Sequence, residues 1–176
     1  MITQELLKEL LHYSPETGIS TWRKRDRRHF KTDRDCNAWN GRLANKQVGA
    51  ISHGYLRTSI FYKPYLVHRL AFLYVDGSLP PNEVDHINGV TDDNRWANLR
   101  AVTHAENQKN QRMPSNNTSG FNGVCWCSIV QKWHAKIQVN SKNKSIGYFT
   151  DKNDAISARK SASIKYGYHA NHGRTT

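Results

Sequence analysis

Hydrophobic and polar residues along the first third of the chain predict short helices and strands. A helix over residues 3–12 is expected because five apolar residues recur at helical spacing: Ile2, Leu6, Leu7, Leu10 and Leu11. The turn-forming tract 14–18 ends it, and residues 19–22 have the β-branched and aromatic content of a short strand. Residues 24–47 are polar, and their pattern gives no assignment.

The middle of the chain predicts a hairpin followed by a compact strand and helix unit. Residues 51–67 indicate a β-hairpin with its turn at Tyr62-Lys63-Pro64, and Val67–Tyr74 indicates a helix. Short strands are expected at 84–87 and 100–102. A helix over 104–111 should follow, because Thr103 and Glu106 have the spacing of a capping box.

The last third predicts a three-stranded antiparallel sheet with one helix. Residues 132–139 alternate between apolar and polar side chains, as a half-buried strand does, and strand-like segments flank them at 123–129 and 145–149. A helix should begin at Asp151 or Lys152 and stop at Gly167. One helix covers one face of the sheet, so the other face stays open.

Turn-forming residues separate these parts and divide the chain. We predict a first domain over 1–111, a linker over 112–119 and a second domain over 120–176, in an α+β fold. Cys36, Cys125 and Cys127 are too few for a disulfide scaffold and lack a C-x-x-C pair, so free thiols are expected.

The charge is strongly positive and unevenly distributed. The net charge is +12, and residues 112–176 carry 10 Lys and Arg against two Asp. This balance predicts binding to a polyanion, and the interspersed aromatic residues favour nucleic acid over membrane. The candidate contacts are two clusters, either of which could instead be a solvated surface: Arg23, Arg25, Arg27 and Arg28; and Lys132, His134, Lys136 and Gln138 on the open sheet face.

Other classes of protein are disfavoured by the same composition. No apolar stretch approaches the roughly 20 residues that span a bilayer, and the N-terminus lacks the layout of a secretory signal. We therefore expect a cytoplasmic protein that is not secreted, has no membrane partner and no small-molecule substrate, and acts as a monomer on double-stranded DNA.

A group of polar residues in the 84–107 region suits phosphodiester hydrolysis. His86 is a candidate general base because its pKa lies near neutrality, and Asn98 is a candidate for holding its ring. Asp85 and the amide oxygen of Asn107 offer oxygen ligands for one divalent ion, and oxygen ligands favour Mg²⁺ or Mn²⁺ over zinc. Taken singly, Asp85, Asn94 and Asn98 could equally be loop-capping residues.

Several motifs in this region resemble the phage-type HNH homing endonucleases. They are Tyr65–Ala71, Val84–Gly89, Asp93–Arg95, Asn98–Arg100 and Glu106-Asn107, in the order of that family over roughly residues 50–111. The resemblance implies a ββα-metal motif with His86 as general base, Asn98 as the asparagine that fixes the loop and the base, and Asp85 and Asn107 as metal ligands. His68 stays ambiguous between a structural residue and a ligand.

Residues 118–172 resemble the AP2 DNA-binding domain, through Ser119–Val124, Lys132–Ile137, Gly147–Phe149 and Ala158-Arg159. The resemblance implies that the sheet lies in the DNA major groove. The matching positions would be Asn122, Cys125, Lys136, Gln138, Asn143 and Ser145. Several of these residues are smaller or neutral where plant relatives have arginine, so the target sequence does not transfer.

The two resemblances together imply a site-specific, metal-dependent DNA endonuclease of the homing type, as encoded by mobile introns of phages. Two alternatives remain open. One is a non-catalytic DNA-binding regulator that keeps the HNH region as a scaffold. The other is a less selective phage HNH nuclease. One active site per chain is expected to nick DNA, or to cut both strands by dimerising or by sequential cuts.

Overall fold

The structure is a computed structural model that describes residues 2–110, 113–140, 142–170 and 172–173. The helices in this part of the chain are α1 (Gln4–Leu10), α2 (Asp33–Leu43), α3 (Val67–Asp76), α4 (His104–Gln108) and α5 (Lys152–Lys165). The strands are β1 (Leu11–Tyr13), β2 (Ser20–Trp22), β3 (Ala50–Ser52), β4 (Tyr55–Ile60), β5 (Lys63–Leu66), β6 (Glu83–His86), β7 (Leu99–Val102), β8 (Val124–Cys127), β9 (Lys132–Val139) and β10 (Lys142–Phe149).

The chain divides into two compact units, Met1–Ala101 and Val102–Thr176. Helix α4 therefore belongs to the second unit, whereas the sequence grouped it with the first. The predicted limits of 1–111 and 120–176 stay a prediction. The expectation of a mixed α/β fold with small sheets is confirmed by the elements themselves.

The first unit is built around helices α1 and α3, which pack against each other, and two small antiparallel sheets, β1-β2 and β3-β4-β5. Helix α1 begins at Thr3, whose hydroxyl accepts a hydrogen bond from the Leu6 amide. It ends before the predicted position because Leu11 becomes extended and pairs with Trp22. The side chains of the core include Leu7, Leu10, Leu11, Tyr13, Trp22, Val48, Val67 and Leu70.

Helix α2 lies in the polar stretch that the sequence left unassigned. Thr32 caps it, and Asp33 and Asp35 lie in its first turn, where the helix dipole favours negative charge. Of its side chains, Cys36, Trp39 and Leu43 are buried or partly buried. Their spacing of three and four residues is the signal that could have predicted this helix.

The β4–β5 hairpin turns one residue earlier than predicted. Phe61 and Tyr62 form the turn with φ values of 49° and 64°, and Lys63 and Pro64 lie in strand β5. Strand β5 is at the edge of its sheet, where proline is tolerated. Two consecutive aromatic residues in the left-handed region are unusual, because L side chains favour negative φ.

The second unit contains an antiparallel sheet in the order β10-β9-β8, with helix α5 packed against it. Strand β9 buries Ala135 and Ile137 on the helix side. The small core of this unit comprises Val124, Ala135 and Ala155, with Phe121, Trp133, Ile146, Phe149 and Ile156 packed around them. The predicted elements are present, whereas the specific AP2-like arrangement stays a prediction.

Two further features concern the whole described chain. The three cysteines are free, as predicted. Among the residues that the structure describes, no helix combines the length and the apolar character that crossing a membrane requires.

Candidate active site

His86 is the last residue of strand β6, which forms a two-stranded sheet with β7. The backbone turns directly afterwards, and the Gly89 amide donates to the His86 carbonyl at 2.8 Å. Only 3% of His86 is exposed. The imidazole is therefore fixed at the point where a strand becomes a loop, within a water-poor part of the first unit.

The ring of His86 is oriented by Asn94. Its Nε2 atom lies 3.0 Å from Oδ1 of Asn94, and Asn94 is itself buried. Because a carboxamide oxygen only accepts, this contact keeps the proton of the neutral ring on Nε2 and leaves the lone pair on Nδ1. A ring in this tautomer can accept a proton through Nδ1.

Two more rings pack around His86. The centroid of His68 is 5.1 Å away with the planes at 87°, and Tyr55 is 6.2 Å away. Tyr55 also contacts His68 at 5.5 Å. Burial lowers the pKa of His68 to about 3, with further lowering by the charges of His86 and Arg69. His68 is therefore neutral near physiological pH and acts as a packing partner of His86.

Asn98 braces the loop that follows His86. Its Oδ1 accepts from the Asn88 amide at 2.9 Å, and its Nδ2 donates to the Asp93 carbonyl at 2.8 Å. The backbone of Asn98 also accepts from the Ile87 amide. The sequence assigned Asn98 to both loop and ring; these contacts concern the loop, and the contact to the ring comes from Asn94.

Asn94 was missed because the sequence marked it only as a possible loop-capping residue. Its carbonyl accepts from the hydroxyl of Tyr13 at 2.8 Å, and burial raises the pKa of that phenol to about 12. Nδ2 of Asn94 is buried and has no hydrogen-bond partner among the described residues. A buried amide whose N–H groups lack hydrogen-bond partners lowers the stability of the fold. Such a cost fits a residue whose role is to orient the ring of His86.

The N-terminal turn 14–18 holds the same loop from outside. The Trp96 amide donates to the Pro15 carbonyl at 2.8 Å. Gly18 has φ +73°, and a Cβ built there would lie 2.3 Å from the Arg95 nitrogen and 2.4 Å from the Asn94 carbonyl carbon. Glycine is thus required at position 18 by both conformation and close approach.

A surface ion pair closes the other side of the loop. Arg95 donates to both carboxylate oxygens of Asp93, at 2.8 and 2.6 Å, and the Asn88 side chain donates to Asp93 at 2.7 Å. Hydrogen bonds, first from Arg95, lower the pKa of Asp93 to about 2. Asp93 is therefore ionised throughout the neutral range. Its carboxylate links Asn88 and Arg95, two residues of the same loop.

Asp85 precedes His86 on strand β6 and is buried. Its Oδ2 accepts from Nε and Nη2 of Arg100 at 3.0 and 2.6 Å. Carboxylate oxygens are ligands that a hard divalent ion takes. The other predicted ligand, Asn107, lies on helix α4 in the second unit.

The predicted metal ligands, Asp85 and Asn107, are both oxygen donors, and their role stays a prediction. No group of three or more His, Cys, Asp or Glu able to hold a metal occurs among the described residues. Asp85 with an amide oxygen is a sparser set, which leaves coordination positions for phosphate and water. Such positions suit Mg²⁺, which keeps several waters and substrate phosphates as ligands.

The basic segment near residue 25 has two kinds of arginine. Arg23, Arg27 and Arg28 are exposed; Arg27 pairs with Asp33, and Arg28 pairs with a carboxylate of Glu9 at 2.5 Å.

Arg25 differs, because its guanidinium carbon lies 3.9 Å from the ring centroid of Trp39 and 4.8 Å from that of Trp22. Burial lowers the pKa of Arg25 to about 10. Its position serves packing, so the predicted DNA contact by Arg25 loses its physical basis.

The open face of the second unit's sheet collects most of the other predicted DNA contacts. Lys136 pairs with Ser145 across the strands, and Gln138 pairs with Asn143. The ring of His134 stacks on Tyr148, with centroids 4.4 Å apart and the planes at 14°. The face is therefore a row of donors and acceptors, in which His134 is partly buried and the following residues are exposed: Lys132, Lys136, Gln138, Asn143 and Ser145.

Asn122 lies apart from these rows, just before strand β8. Its amide contacts Nε2 of His172 at 2.8 Å. It is partly buried, so its side chain serves the C-terminal segment in this structure. Cys125 lies opposite His134 in the strand register.

Comparison with known proteins identifies a domain family in the region that contains His86. A family model described as HNH endonuclease matches residues 65–109, which include His68, Asp85, His86 and Asn98. "Protein 3.8" of Escherichia phage T7 is 30% identical over 83 residues, covering 47% of this chain and 69% of the phage protein. No solved structure matches the chain. The chain therefore carries an HNH endonuclease domain over residues 65–109 and belongs to the same family as Protein 3.8 of phage T7.

Proposed function

We propose that the protein is a divalent-metal-dependent DNA endonuclease that hydrolyses phosphodiester bonds in double-stranded DNA. The observation that carries the proposal is the environment of His86: a buried imidazole at the end of β6, with Asn94 holding Nε2 and the region matched by the HNH family around it. A fixed neutral imidazole is the group that such hydrolysis needs as a base.

In the proposed reaction, Nδ1 of His86 takes a proton from a water molecule, and the resulting hydroxide attacks phosphorus. The bond to the 3′ oxygen breaks, and this oxygen leaves. Asp85 and Asn107 would hold the divalent ion, Mg²⁺ or Mn²⁺, which supplies positive charge to the departing oxygen when bound. Arg100 holds the Asp85 carboxylate in one rotamer through two hydrogen bonds.

We further propose that the second unit reads DNA in the manner of an AP2 domain and makes the enzyme a site-selective, homing-type nuclease of the kind carried by phage introns. Support comes from the open sheet face, with Lys132, Lys136, Gln138 and Asn143 exposed. A β-sheet fits the major groove, where each base pair presents a distinct pattern of donors and acceptors. Lys side chains there would also contact phosphates.

Cleavage of supercoiled plasmid and of end-labelled phage DNA tests the catalytic proposal. We expect cleavage with Mg²⁺ or Mn²⁺, none with EDTA, and a loss of about 100-fold or more with His86→Ala. The matched control is His12→Ala, which replaces an exposed histidine of the same unit. Equal cleavage by wild type and His86→Ala would refute the role of His86.

The pattern of products tests site selection. A homing-type enzyme gives a few discrete fragments from phage DNA, and labelling each strand separately shows whether one or both strands are cut. A continuous smear at all enzyme concentrations would support a less selective nuclease instead and would remove the homing proposal.

A further inference from the structure

We propose that the tip of the β4–β5 hairpin, Phe61-Tyr62-Lys63, is a second DNA-contacting element, in which the ring of Tyr62 packs against the base stack of the duplex. The inference rests on the proposed function, because it takes duplex DNA as the substrate. It concerns a segment outside the residues matched by the HNH family.

The side chain of Tyr62 lies outside the folded core. Its relative exposure is 102%, whereas the neighbouring Ile60 is buried in the core. Both Phe61 and Tyr62 occupy the left-handed region, where glycine or asparagine would be accommodated with less strain. A strained backbone that presents a large, unburied ring is a feature found where the ring has an external partner.

The contacts of Phe61 account for the conformation of the turn, but they do not account for the exposed ring of Tyr62. Its ring lies 5.6 Å from His29 and 5.5 Å from the guanidinium of Arg25. These contacts fix the hairpin tip beside the basic segment 23–34. Tyr62 then projects from a rigid base, which lowers the entropy cost of ordering the ring on a ligand.

The charge around the tip identifies the partner as a polyanion. Lys63 is exposed directly beside Tyr62, and the adjacent basic segment exposes Lys24, Arg27 and Arg28. Arg27 and Arg28 each pair with one carboxylate, yet the side chain of Arg28 remains 66% exposed. Cations that contact phosphates beside an aromatic ring that contacts bases form the combination that DNA recognition uses.

Strand β4 sets the distance between the tip and the candidate active site. Tyr55, at the start of β4, packs against His86, and Ile60 is its last residue. Six residues of strand at about 3.3 Å each span roughly 20 Å. With a rise of about 3.4 Å per base pair, the tip would meet the duplex about six base pairs from the cut phosphate.

Binding to a 40-base-pair duplex in EDTA, followed by fluorescence anisotropy, tests the contribution of Tyr62. We expect Tyr62→Asn to raise Kd by roughly 5- to 100-fold, as loss of one aromatic contact to a base does. Its melting temperature should be unchanged or higher, because asparagine tolerates the left-handed region. Tyr62→Phe should bind as wild type does. Ile164→Ala, which removes an exposed apolar side chain on α5, is the control and should bind normally.

A fluorescent base tests the position. The duplex carries a cut position mapped with the wild-type enzyme, and 2-aminopurine is placed two, six or ten base pairs from it. Fluorescence should rise on binding for the probe at about six base pairs, with wild type and Tyr62→Phe but not with Tyr62→Asn.

The outcomes separate the two proposals. Unchanged Kd for Tyr62→Asn, or equal weakening by Tyr62→Phe, would overturn the role of the hairpin tip while cleavage by wild type upholds the proposed function. Absence of any duplex binding by wild type would overturn both.

Discussion

The two units of the chain place their polar residues in opposite ways. The first unit encloses His68, His86 and Asn94 in a large apolar core, whereas the second buries few side chains and displays Lys136 and its neighbours on an open sheet. Proton transfer needs a base held in one geometry, and DNA binding needs accessible charge. Changes around His86 in the first unit should therefore affect the rate, and changes on the open sheet of the second should affect affinity.

The largest effect among the following variants is expected from Asn94→Ala. The variant removes the oxygen that accepts from Nε2 of His86, so neither the orientation of the ring nor its tautomer is fixed any longer. The kcat should therefore fall about 10- to 100-fold, with KM little changed. Asn94→Asp is the rescue variant, because a carboxylate oxygen still accepts from Nε2. Single-turnover cleavage measures both. Similar losses for Ala and Asp would indicate that Asn94 acts through folding alone.

Gly18→Ala should have the next largest effect, from outside the site. The new Cβ would clash with the backbone of Asn94 and Arg95, so the loop must shift and kcat should fall about tenfold or more. Gly54→Ala is the matched control: it has a similar positive φ of 79° with nothing near the added Cβ. Cleavage rates that fall equally in both variants would show that only backbone strain matters.

His68 gives the first unit a dependence of stability on pH. Its pKa of about 3 in the fold is below its unfolded value of 6.5, so protons favour the unfolded state between these values. Stability is full above pH 6.5 and decreases as the pH falls towards 3, by up to about 1.4 kcal/mol per pH unit.

Urea unfolding at pH 7.5, 6 and 5, followed by tryptophan fluorescence, measures this dependence. His68→Phe should flatten it, and His12→Ala should leave it as in wild type. Asp93 does not interfere, because its pKa of about 2 and its usual value of 3.8 both lie below pH 5, the lowest pH of the measurement. An unchanged slope in His68→Phe would contradict the assignment.

Lys136→Gln should have the smallest effect and should affect only affinity. Loss of one phosphate contact lowers the slope of log Kd against log salt by about 0.9 and weakens binding several-fold, with kcat unchanged. Lys160→Gln, an exposed lysine on helix α5, is the control. Titration against salt with a labelled duplex distinguishes the two variants. A lower kcat in Lys136→Gln would contradict the expectation that the open sheet affects affinity alone.

The sequence predicted those features that depend on neighbouring residues. The capping box of Thr103 and Glu106 is present, with the Thr103 hydroxyl accepting from the Glu106 amide and Glu106 accepting from the Thr103 amide. The alternation in 132–139 likewise became strand β9. In both cases a pattern of a few residues determines the local structure.

Features that depend on distant contacts were not predictable. The charge of Arg25 suggested an exposed residue, but Trp22 and Trp39, brought together by folding, enclose its guanidinium. The turn at Phe61-Tyr62 contradicts ordinary turn preferences because Phe61 gains contacts with His29. The role of Asn94 depends on a loop shaped by Tyr13 and Gly18, more than 70 residues earlier in the chain.

The contacts of residues 13–18 with the loop at 94–96 also set a lower limit on the size of a fragment that would keep the candidate site intact. A fragment trimmed to residues 65–109 would keep His86, Asn94 and Asn98 yet lose Tyr13, Gly18 and the ring of Tyr55. Grafting that stretch alone onto another scaffold would transfer the reactive groups without the supports that align them. A transplantable unit has to begin upstream of Tyr13.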